Sequence, residues 1–517
     1  MEFCSIMKKS RLEYSIINSS VSMLVYIFRL IIQFVSRSFF IHFLGAKYLG
    51  LNGLFTNILS FLSLAELGIG TSIIYSLYKP LSQSDQPKIS ALMNLYKKAY
   101  ERIGLFVGLL GLILIPFLHF LINDNIEISK VYTYYILFLL NSSISYFFTY
   151  KRSLIIADQK NYINSINDLF FLLVMNVLQV VSLYFYSSFT LFLIIQIFAT
   201  FISNLSISRI VDKRYPYLKN TQTSKLDSET REEIKKNIIG NVSSKIGGVI
   251  VMGTDNILIS SFVSLTAVGI YSNYSLITVS IQNLCKQVTN SVTASIGNFA
   301  TSANKDKAYG LFKKHFFINH SLVYFTTIVL VSTINPFIDL WVGSDYILSG
   351  FTTSLICLNY SIQVYRNTGF VFIESFGLYW FQRKKPILEA GLNLFISLLL
   401  LIVFDLGING VLIGTIVSSL GFVIWYEAYV IYKHVFEKNF LDFVVLFLRY
   451  FFELIFSVII TVTVGRGIAQ NFSGLIGLFF NGTIGFTISL LIYFILYRNR
   501  EEFRFIISIY SRIKKRM

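Results

Sequence analysis

Apolar runs long enough to cross a lipid bilayer recur from one end of this 517-residue chain to the other. No hydrophilic stretch between them is long enough to fold as a separate domain. A helix crosses the hydrocarbon in about 20 mostly apolar residues. The pattern therefore predicts about fourteen spans, at roughly 15–44, 49–78, 101–122, 131–150, 162–185, 189–208, 237–262, 267–298, 315–335, 350–378, 386–405, 409–432, 443–465 and 474–497. Several exceed what the bilayer needs and are expected to tilt or protrude. Charged residues make up only 14% of the chain, against about 25% in soluble domains. The expected fold class is an all-α integral membrane protein.

The net charge of +17 raises the question of an acidic partner such as nucleic acid or lipid. Its distribution answers in favour of membrane topology. With the amino terminus in the cytosol, every second connection is strongly basic, including Lys8, Lys9 and Arg11, then Lys88, Lys97 and Lys98, then Lys151, Arg152 and Lys160. The other side holds few cations, among them Lys47, Lys130 and Arg466. Excess Lys and Arg on cytoplasmic connections sets orientation, so both termini are expected in the cytosol and no nucleic-acid partner is expected. Lys8, Lys9 and Arg11 precede an apolar run too long for a signal peptide, so that run is read as a retained first helix. The three cysteines, Cys4, Cys285 and Cys357, have neither metal nor disulfide spacing.

The hydrophilic connection at 209–236 separates six spans from the next six. This predicts an N-lobe at 1–208, a cytoplasmic linker at 209–236, a C-lobe at 237–436, and two further helices with a basic tail at 437–517. A weak internal echo supports two pseudo-symmetric lobes: Tyr48-Leu49-Gly50-Leu51-Asn52-Gly53 opens the second span, and Ala267-Val268-Gly269-Ile270-Tyr271-Ser272 opens the eighth. An even number of spans per copy gives both copies the same orientation.

Charge inside the spans carries the functional reading. In the first span Ser22, Tyr26, Arg29, Gln33, Ser36 and Arg37 share one helical face. An arginine at the centre of a membrane helix costs about 2.5–3.5 kcal/mol on insertion scales. Such a face is expected to meet water, other polar groups or an anionic ligand. The eighth span has a similar stripe in Asn283, Lys286, Gln287 and Asn290, and the seventh one in Asn241, Lys245, Gly248, Met252 and Asp255. The second span aligns Asn52, Thr56, Ser63, Glu66 and Gly70, and the tenth aligns Asn359, Gln363 and Arg366, with Glu374 two turns on. Competing structural readings exist for each. Polar stripes also serve as packing seams; Arg449, Lys245 and Arg37 can snorkel to headgroups; and Glu66, Asp255 and Glu374 can neutralise Arg29, Lys286 and Arg366. The cations outnumber the deep acids, which suits a phosphate or pyrophosphate held by Arg forks and Lys point charges. The acids, Glu66 and Asp255 first, are candidates for a coupling H+ or Na+. Tyr26 or Tyr271 is placed to stack on a sugar ring.

Enzymatic signatures do not occur: there is no HExxH, GxGxxG, Walker loop or DxD. The five histidines, His42, His119, His315, His320 and His434, are dispersed near the ends of the expected spans without ligand spacing. Neither a cofactor nor a metal is expected.

The stretch Leu44-Gly45-Ala46-Lys47-Tyr48-Leu49-Gly50-Leu51-Asn52-Gly53-Leu54-Phe55, with Ala65-Glu66-Leu67-Gly68-Ile69-Gly70, resembles the second-helix region of bacterial polysaccharide flippases. These are the Wzx-type transporters of the multidrug/oligosaccharidyl-lipid/polysaccharide (MOP) superfamily. Thr254-Asp255-Asn256 and Gly269-Ile270-Tyr271-Ser272-Asn273-Tyr274 resemble the corresponding second-lobe region, and Ala157-Asp158-Gln159-Lys160 the connection after the fourth helix. The resemblance implies two six-helix lobes in a V around a central cavity, with helices 1, 2, 7 and 8 in its lining, and two C-terminal helices outside the lobes. It implies a bacterial plasma-membrane protein that moves an undecaprenyl-diphosphate-linked oligosaccharide from inner to outer leaflet by alternating access. A capsule or other surface-polysaccharide precursor is the expected cargo, with membrane lipid and other polysaccharide-assembly proteins as partners. The diphosphate role falls on Arg29, Arg37, Lys286 and Arg366, with Lys245, Gln33, Asn283, Gln287 and Asn290 beside them. The alternatives are a cation-coupled multidrug exporter of the same superfamily and a membrane-embedded polymerase or transferase.

Overall fold

The computed structural model describes residues 11–66, 69–124, 126–219, 226, 230, 232, 234, 253–290, 296, 305–469 and 474–504. It separates into two compact units, Met1–Gly269 and Ile270–Met517. Among the described residues there are fifteen α-helices and no strand, and nine stretches are long and apolar enough to cross a bilayer. The chain is a multi-pass membrane protein. Helix count and expected span count differ because several spans are interrupted. The seventh expected span lies mostly outside the described residues, as does most of the 209–236 connection.

In the first unit, α1 (Arg11–Leu62) joins the expected first and second spans through a single non-helical residue, Gly45, at φ 80 and ψ 176. A side chain there would meet the left-handed penalty that glycine escapes. The second span then loosens into a 3-10 turn, Ser63–Glu66, before resuming as α2 (Ile69–Gln83). α3 (Gln86–Leu114) starts earlier than expected. The Asp85 carboxylate accepts a 3.0 Å bond from the Lys88 amide, and Pro87 sits in the first turn, both strong start signals. Lys88, Lys97, Lys98 and Arg102 therefore ride on a helix rather than in a loop. α4 (Ile128–Ala157), α5 (Tyr162–Tyr186) and α6 (Phe189–Arg214) complete the unit, α4 packing on α3 and α6, and α5 on α1 and α6. Asn18 fastens α1 to the α4–α5 turn: its amide donates to the Gln159 carbonyl at 2.8 Å, and its oxygen accepts from the Tyr162 amide at 2.9 Å.

The segment 253–269 is stitched onto this unit. The Asn123 amide donates to the Ser260 carbonyl at 3.2 Å, and the Ser260 hydroxyl donates to the Leu121 carbonyl. At its end two backbones nearly touch. A Cβ on Gly50 would lie 1.9 Å from the Leu265 carbonyl oxygen, and one on Gly269 would lie 2.0 Å from that of Ala46. In each case the glycine meets the carbonyl four residues before the other glycine. Small residues serve this purpose in membrane helices, where packing rather than hydrophobicity drives association.

In the second unit, α7 (Leu265–Asn290), which begins in the first, is followed by the long α8 (Lys305–Val342). Then come α9 (Gly350–Tyr365) and α10 (Asn367–Ser375), separated at Arg366, then α11 (Lys385–Ile402) and α12 (Ile408–Ser418). A π-helical turn, Ser419–Val423, leads into α13 (Ile424–Ile431), and a second π turn, Tyr432–Phe436, follows it. From Ile408 to Phe436 these pieces form one membrane-length stretch. α14 (Leu441–Ala469) and α15 (Gly474–Tyr497) close the chain; both pack on α8, and α11 packs on α12.

Replacing Gly50 or Gly269 by Ala is expected to cost about 1–3 kcal/mol, the usual penalty for overpacking a contact that cannot yield. Thermal unfolding in detergent measures this. Gly310→Ala in α8, where a Cβ meets nothing within 4 Å, is expected to leave stability unchanged or raise it by about 0.5–1 kcal/mol.

Candidate functional site

Arg366 is the most constrained of the expected site residues. It stands where α9 gives way to α10, and the break is held by a neighbour: the fully buried Asn319 amide of α8 donates to the carbonyls of Val364 and Tyr365 at 2.9 and 3.1 Å. Without such a donor, these carbonyls would be buried acceptors at a cost of about 1–3 kcal/mol each. The guanidinium is 6% exposed and reaches two carboxylates. Nη1 and Nη2 donate to the Glu389 oxygens at 2.9 and 3.3 Å, and Nη2 and Nε donate to those of Glu427 at 3.0 and 3.4 Å. Lys385 Nζ lies 2.5 Å from Glu427 Oε1, and Gln363 Oε1 accepts from Arg366 Nη1 at 3.1 Å. Gly369 leaves room for the Glu427 side chain, since a Cβ there would come within 3.4 Å of Oε2.

Two cations and two carboxylates thus form a charge-balanced, buried quartet. This revises the expected role of Arg366 as a diphosphate ligand, because Glu389 and Glu427 already hold its donors. Glu374, proposed from sequence as its counter-charge, is exposed. Glu389 and Glu427 escaped the sequence reading although both fall inside expected spans, where a carboxylate is itself a signal. Lys385, at the start of α11, is also buried, at 6% exposure. Glu427 lies on α13 between the two π turns, an irregularity often found at functional positions.

The other expected cations are placed differently. Arg29 and Gln33 of α1 are exposed, and Arg37 is half-buried. Apolar residues of the same helix are exposed as well, including Leu24, Ile27, Phe28, Ile31 and Val35. Lys286 and Asn283 are half-buried on α7, with Gln287 and Asn290 exposed beside them. Among the described residues, neither Arg29 nor Lys286 has an acidic partner. Cations elsewhere on the described helices do: Lys151 pairs with Asp212 at 2.7 Å and Arg152 with Asp168 at 2.5 Å. Lys245 lies outside the described residues.

Of the expected acids, Glu66 sits at the end of the 3-10 turn and accepts a hydrogen bond from the Tyr100 hydroxyl. Tyr100 in turn accepts from Tyr96 at 3.5 Å, and Tyr96 lies 3.0 Å from the Ser153 hydroxyl. No cation pairs with Glu66 among the described residues. Asp255 is buried. Two histidines expected near span ends lie deep in packed helix instead, His315 at 3% and His320 at 0% exposure. Among the described residues no group of three or more His, Cys, Asp and Glu side chains is arranged for a metal.

Removing one member of a buried ion cluster leaves its partners uncompensated. Arg366→Ala is expected to cost about 3–5 kcal/mol and to lower the temperature at which the detergent-solubilised protein survives size-exclusion chromatography. Arg366→Lys, which keeps the charge but cannot bridge two carboxylates as a fork, is expected to fall between it and the wild type.

No family model matches the chain, and no curated protein matches it. Solved structures do. The lipid II flippase MurJ in an inward closed conformation aligns over 94% of this chain and 99% of its own, with a TM-score of 0.65 at 13% identity. An inward-facing MATE-family multidrug-resistance transporter of the MOP superfamily aligns over 80% of this chain and 98% of its own, with a TM-score of 0.59 at 14% identity. A point mutant of the Vibrio cholerae MATE transporter VcmN covers 82% of this chain and 99% of its own, with a TM-score of 0.54 at 14% identity. These neighbours are transporters and flippases, and this chain shares their fold.

Proposed function

We propose that the chain is a flippase that carries an undecaprenyl-diphosphate-linked oligosaccharide from the inner to the outer leaflet of a bacterial plasma membrane, with both termini in the cytosol. The observation that carries this reading is the contrast among membrane cations. Arg366, inside an expected span, holds two carboxylates, whereas Arg29 and Lys286 hold none among the described residues. A cation at membrane depth without a counter-charge is costly, and a diphosphate that arrives and departs with the cargo is a chemically suited partner. Arg37 and Lys245 are assigned to the diphosphate by their place in the sequence stripes alone. Arg366, held by Glu389 and Glu427, positions α9 and α10 rather than touching the cargo. Gln33, Asn283, Gln287 and Asn290 offer neutral groups to the first sugars.

Two further points support a flippase over an exporter. The structural match to MurJ takes in more of this chain than the matches to MATE transporters do, a difference of about the length of α14 and α15. The cationic stripes also suit an anionic cargo. A cation-coupled exporter is the second reading, favoured by one observation: Glu66 carries a carboxylate on a membrane helix with a tyrosine, and no cation, as its bonded partner. In the flippase reading the same carboxylate takes a coupling H+ or Na+, with Asp255 and Glu374 as further candidates.

The test uses the full chain in proteoliposomes, with a fluorescently tagged undecaprenyl-diphosphate saccharide whose outer-leaflet fraction is read by quenching. A charge-assisted hydrogen bond to phosphate is worth about 1.5–3 kcal/mol. Arg29→Ala and Lys286→Ala are each expected to slow flipping by about 10–100-fold, with expression and thermal stability unchanged. Full-rate flipping by both variants refutes the diphosphate role. Efflux of a cationic dye that depends on Glu66, with no movement of the saccharide lipid, establishes the exporter instead.

A further inference from the structure

A cavity of about 560 Å³ opens among α8, α9, α14 and α15, all within the second unit. Small-molecule sites occupy about 300–1,000 Å³. The cavity lies toward the carboxyl ends of α8 and α14 and toward the amino ends of α9 and α15. Lys305, Lys438, Arg498 and Arg500 stand at the opposite ends of α8, α14 and α15, so by the charge rule the cavity is in the outer half of the bilayer. Its rim is open at the protein surface, where Ser354 and Thr463 are exposed. The hydrogen bonds around it are out of balance. Thr461 is 1% exposed, yet its hydroxyl has no partner, and a buried hydroxyl left so carries its full desolvation penalty. Ser332, Ser354 and Thr463 each give their proton to a carbonyl of their own helix, at 2.9, 2.8 and 2.8 Å. Their oxygens remain as acceptors. Pro336 has no amide hydrogen, so the Ser332 carbonyl one turn back loses its helical donor. Gly485 keeps the floor open: a Cβ there would stand 3.2 Å from Ser332 Oγ and 3.8 Å from Thr461 Cγ2.

We propose that this cavity binds the headgroup of an uncharged glycolipid, a sugar ring carried on a diacylglycerol. The surplus of acceptors calls for a ligand that brings hydroxyl donors, and a sugar brings several, each able to accept as well. Thr461 and the half-buried amide of Asn481 supply donors in return. Among the described residues that line the cavity none is charged. A phosphate is held by Arg forks or Lys point charges, so neither an anionic phospholipid nor a diphosphate-linked cargo finds its counter-charge here. An ammonium headgroup would equally meet no carboxylate. Val458 and Val462 of α14 present apolar surface to the carbon faces of the ring. Ile459, 57% exposed beside them, meets the acyl chains. A lipid so placed braces α14 and α15, which both pack on α8, against the start of α9. A ligand that binds only the folded protein also stabilises it by mass action, so the glycolipid acts as a structural partner of the two last helices.

The inference takes its membrane orientation from the reading above, and its test needs no transport. The full chain in detergent is titrated with monoglucosyl diacylglycerol, plain diacylglycerol or phosphatidylglycerol, and the retained lipid is counted by native mass spectrometry. The glucosyl lipid is expected to be held at least about tenfold more tightly than either of the others, the worth of a few hydrogen bonds. It alone is expected to raise the unfolding temperature. Thr461→Val, which keeps the shape and removes the hydroxyl, is expected to weaken its retention about threefold to tenfold. Ser354→Ala, at the exposed rim, is expected to act in the same direction without disturbing the fold. Thr483→Val, whose hydroxyl bonds the Phe479 carbonyl outside the cavity, is expected to match the wild type. Equal retention of the glucosyl lipid and plain diacylglycerol overturns the proposal, as does a preference for phosphatidylglycerol. So does unchanged retention in both Thr461→Val and Ser354→Ala. An undecaprenyl-diphosphate saccharide that is retained in place of the neutral lipid, and lost in Thr461→Val, assigns the cavity to the cargo and overturns the proposal too. A protein that holds the glucosyl lipid yet moves no saccharide lipid refutes the flippase reading and leaves this site standing.

Discussion

Charge inside hydrocarbon must find a counter-charge, water or a ligand, and much of this structure is organised by how each buried ion meets that demand. In the second unit the answer is a closed quartet. Arg366 bridges Glu389 and Glu427, and Lys385 completes the balance. Three helical segments and a helix break converge on one guanidinium, so the quartet does for α9, α10, α11 and α13 what an apolar core does for a soluble bundle. In the first unit, on the side expected to face the cytosol, Lys151 and Arg152 pair with Asp212 and Asp168 from neighbouring helices. Arg29 and Lys286 stand apart from this pattern, with no acidic partner among the described residues.

The second recurring device is the interrupted helix whose loose backbone groups are claimed by a neighbour. Breaking a helix within the bilayer exposes carbonyls that lipid cannot satisfy. At Arg366 the amide of Asn319 takes two of them. At Glu66 the 3-10 turn lies against Tyr100, and around Glu427 two π turns bend the chain without ending it. In each case the break puts a charged side chain at a place where an uninterrupted helix would have put only another step of the spiral. The irregular points of the backbone and the ionisable residues therefore coincide.

The all-helical membrane fold was legible in the hydropathy pattern, because roughly 20 apolar residues in a row admit few alternatives. The last span, read as 474–497, is the observed Gly474–Tyr497 despite its four glycines. Most breaks were not legible. The interruption at Arg366 depends on Asn319, some forty residues earlier and on another helix, and nothing local to α9 announces it. The stripe that aligned Gln363 with Arg366 was real, since the two are bonded, but which carboxylates lay opposite depended on how α11 and α13 fold back. Glu427 was visible as an acid in an apolar run and was passed over. His320 looked like one of several scattered histidines; its two tyrosine partners both come from later helices, Tyr365 being 45 and Tyr497 177 residues further on.

The mutual approach of residues 46–50 and 265–269 has a bearing of another kind. Each segment offers its glycine to the carbonyl one turn before the other's glycine, so exchanging the two leaves the contact unchanged. That is the geometry of an isologous interface between identical partners, here drawn from two places in a single chain. A contact of this form needs only one surface complementary to itself, so the same short pattern of residues specifies both of its sides.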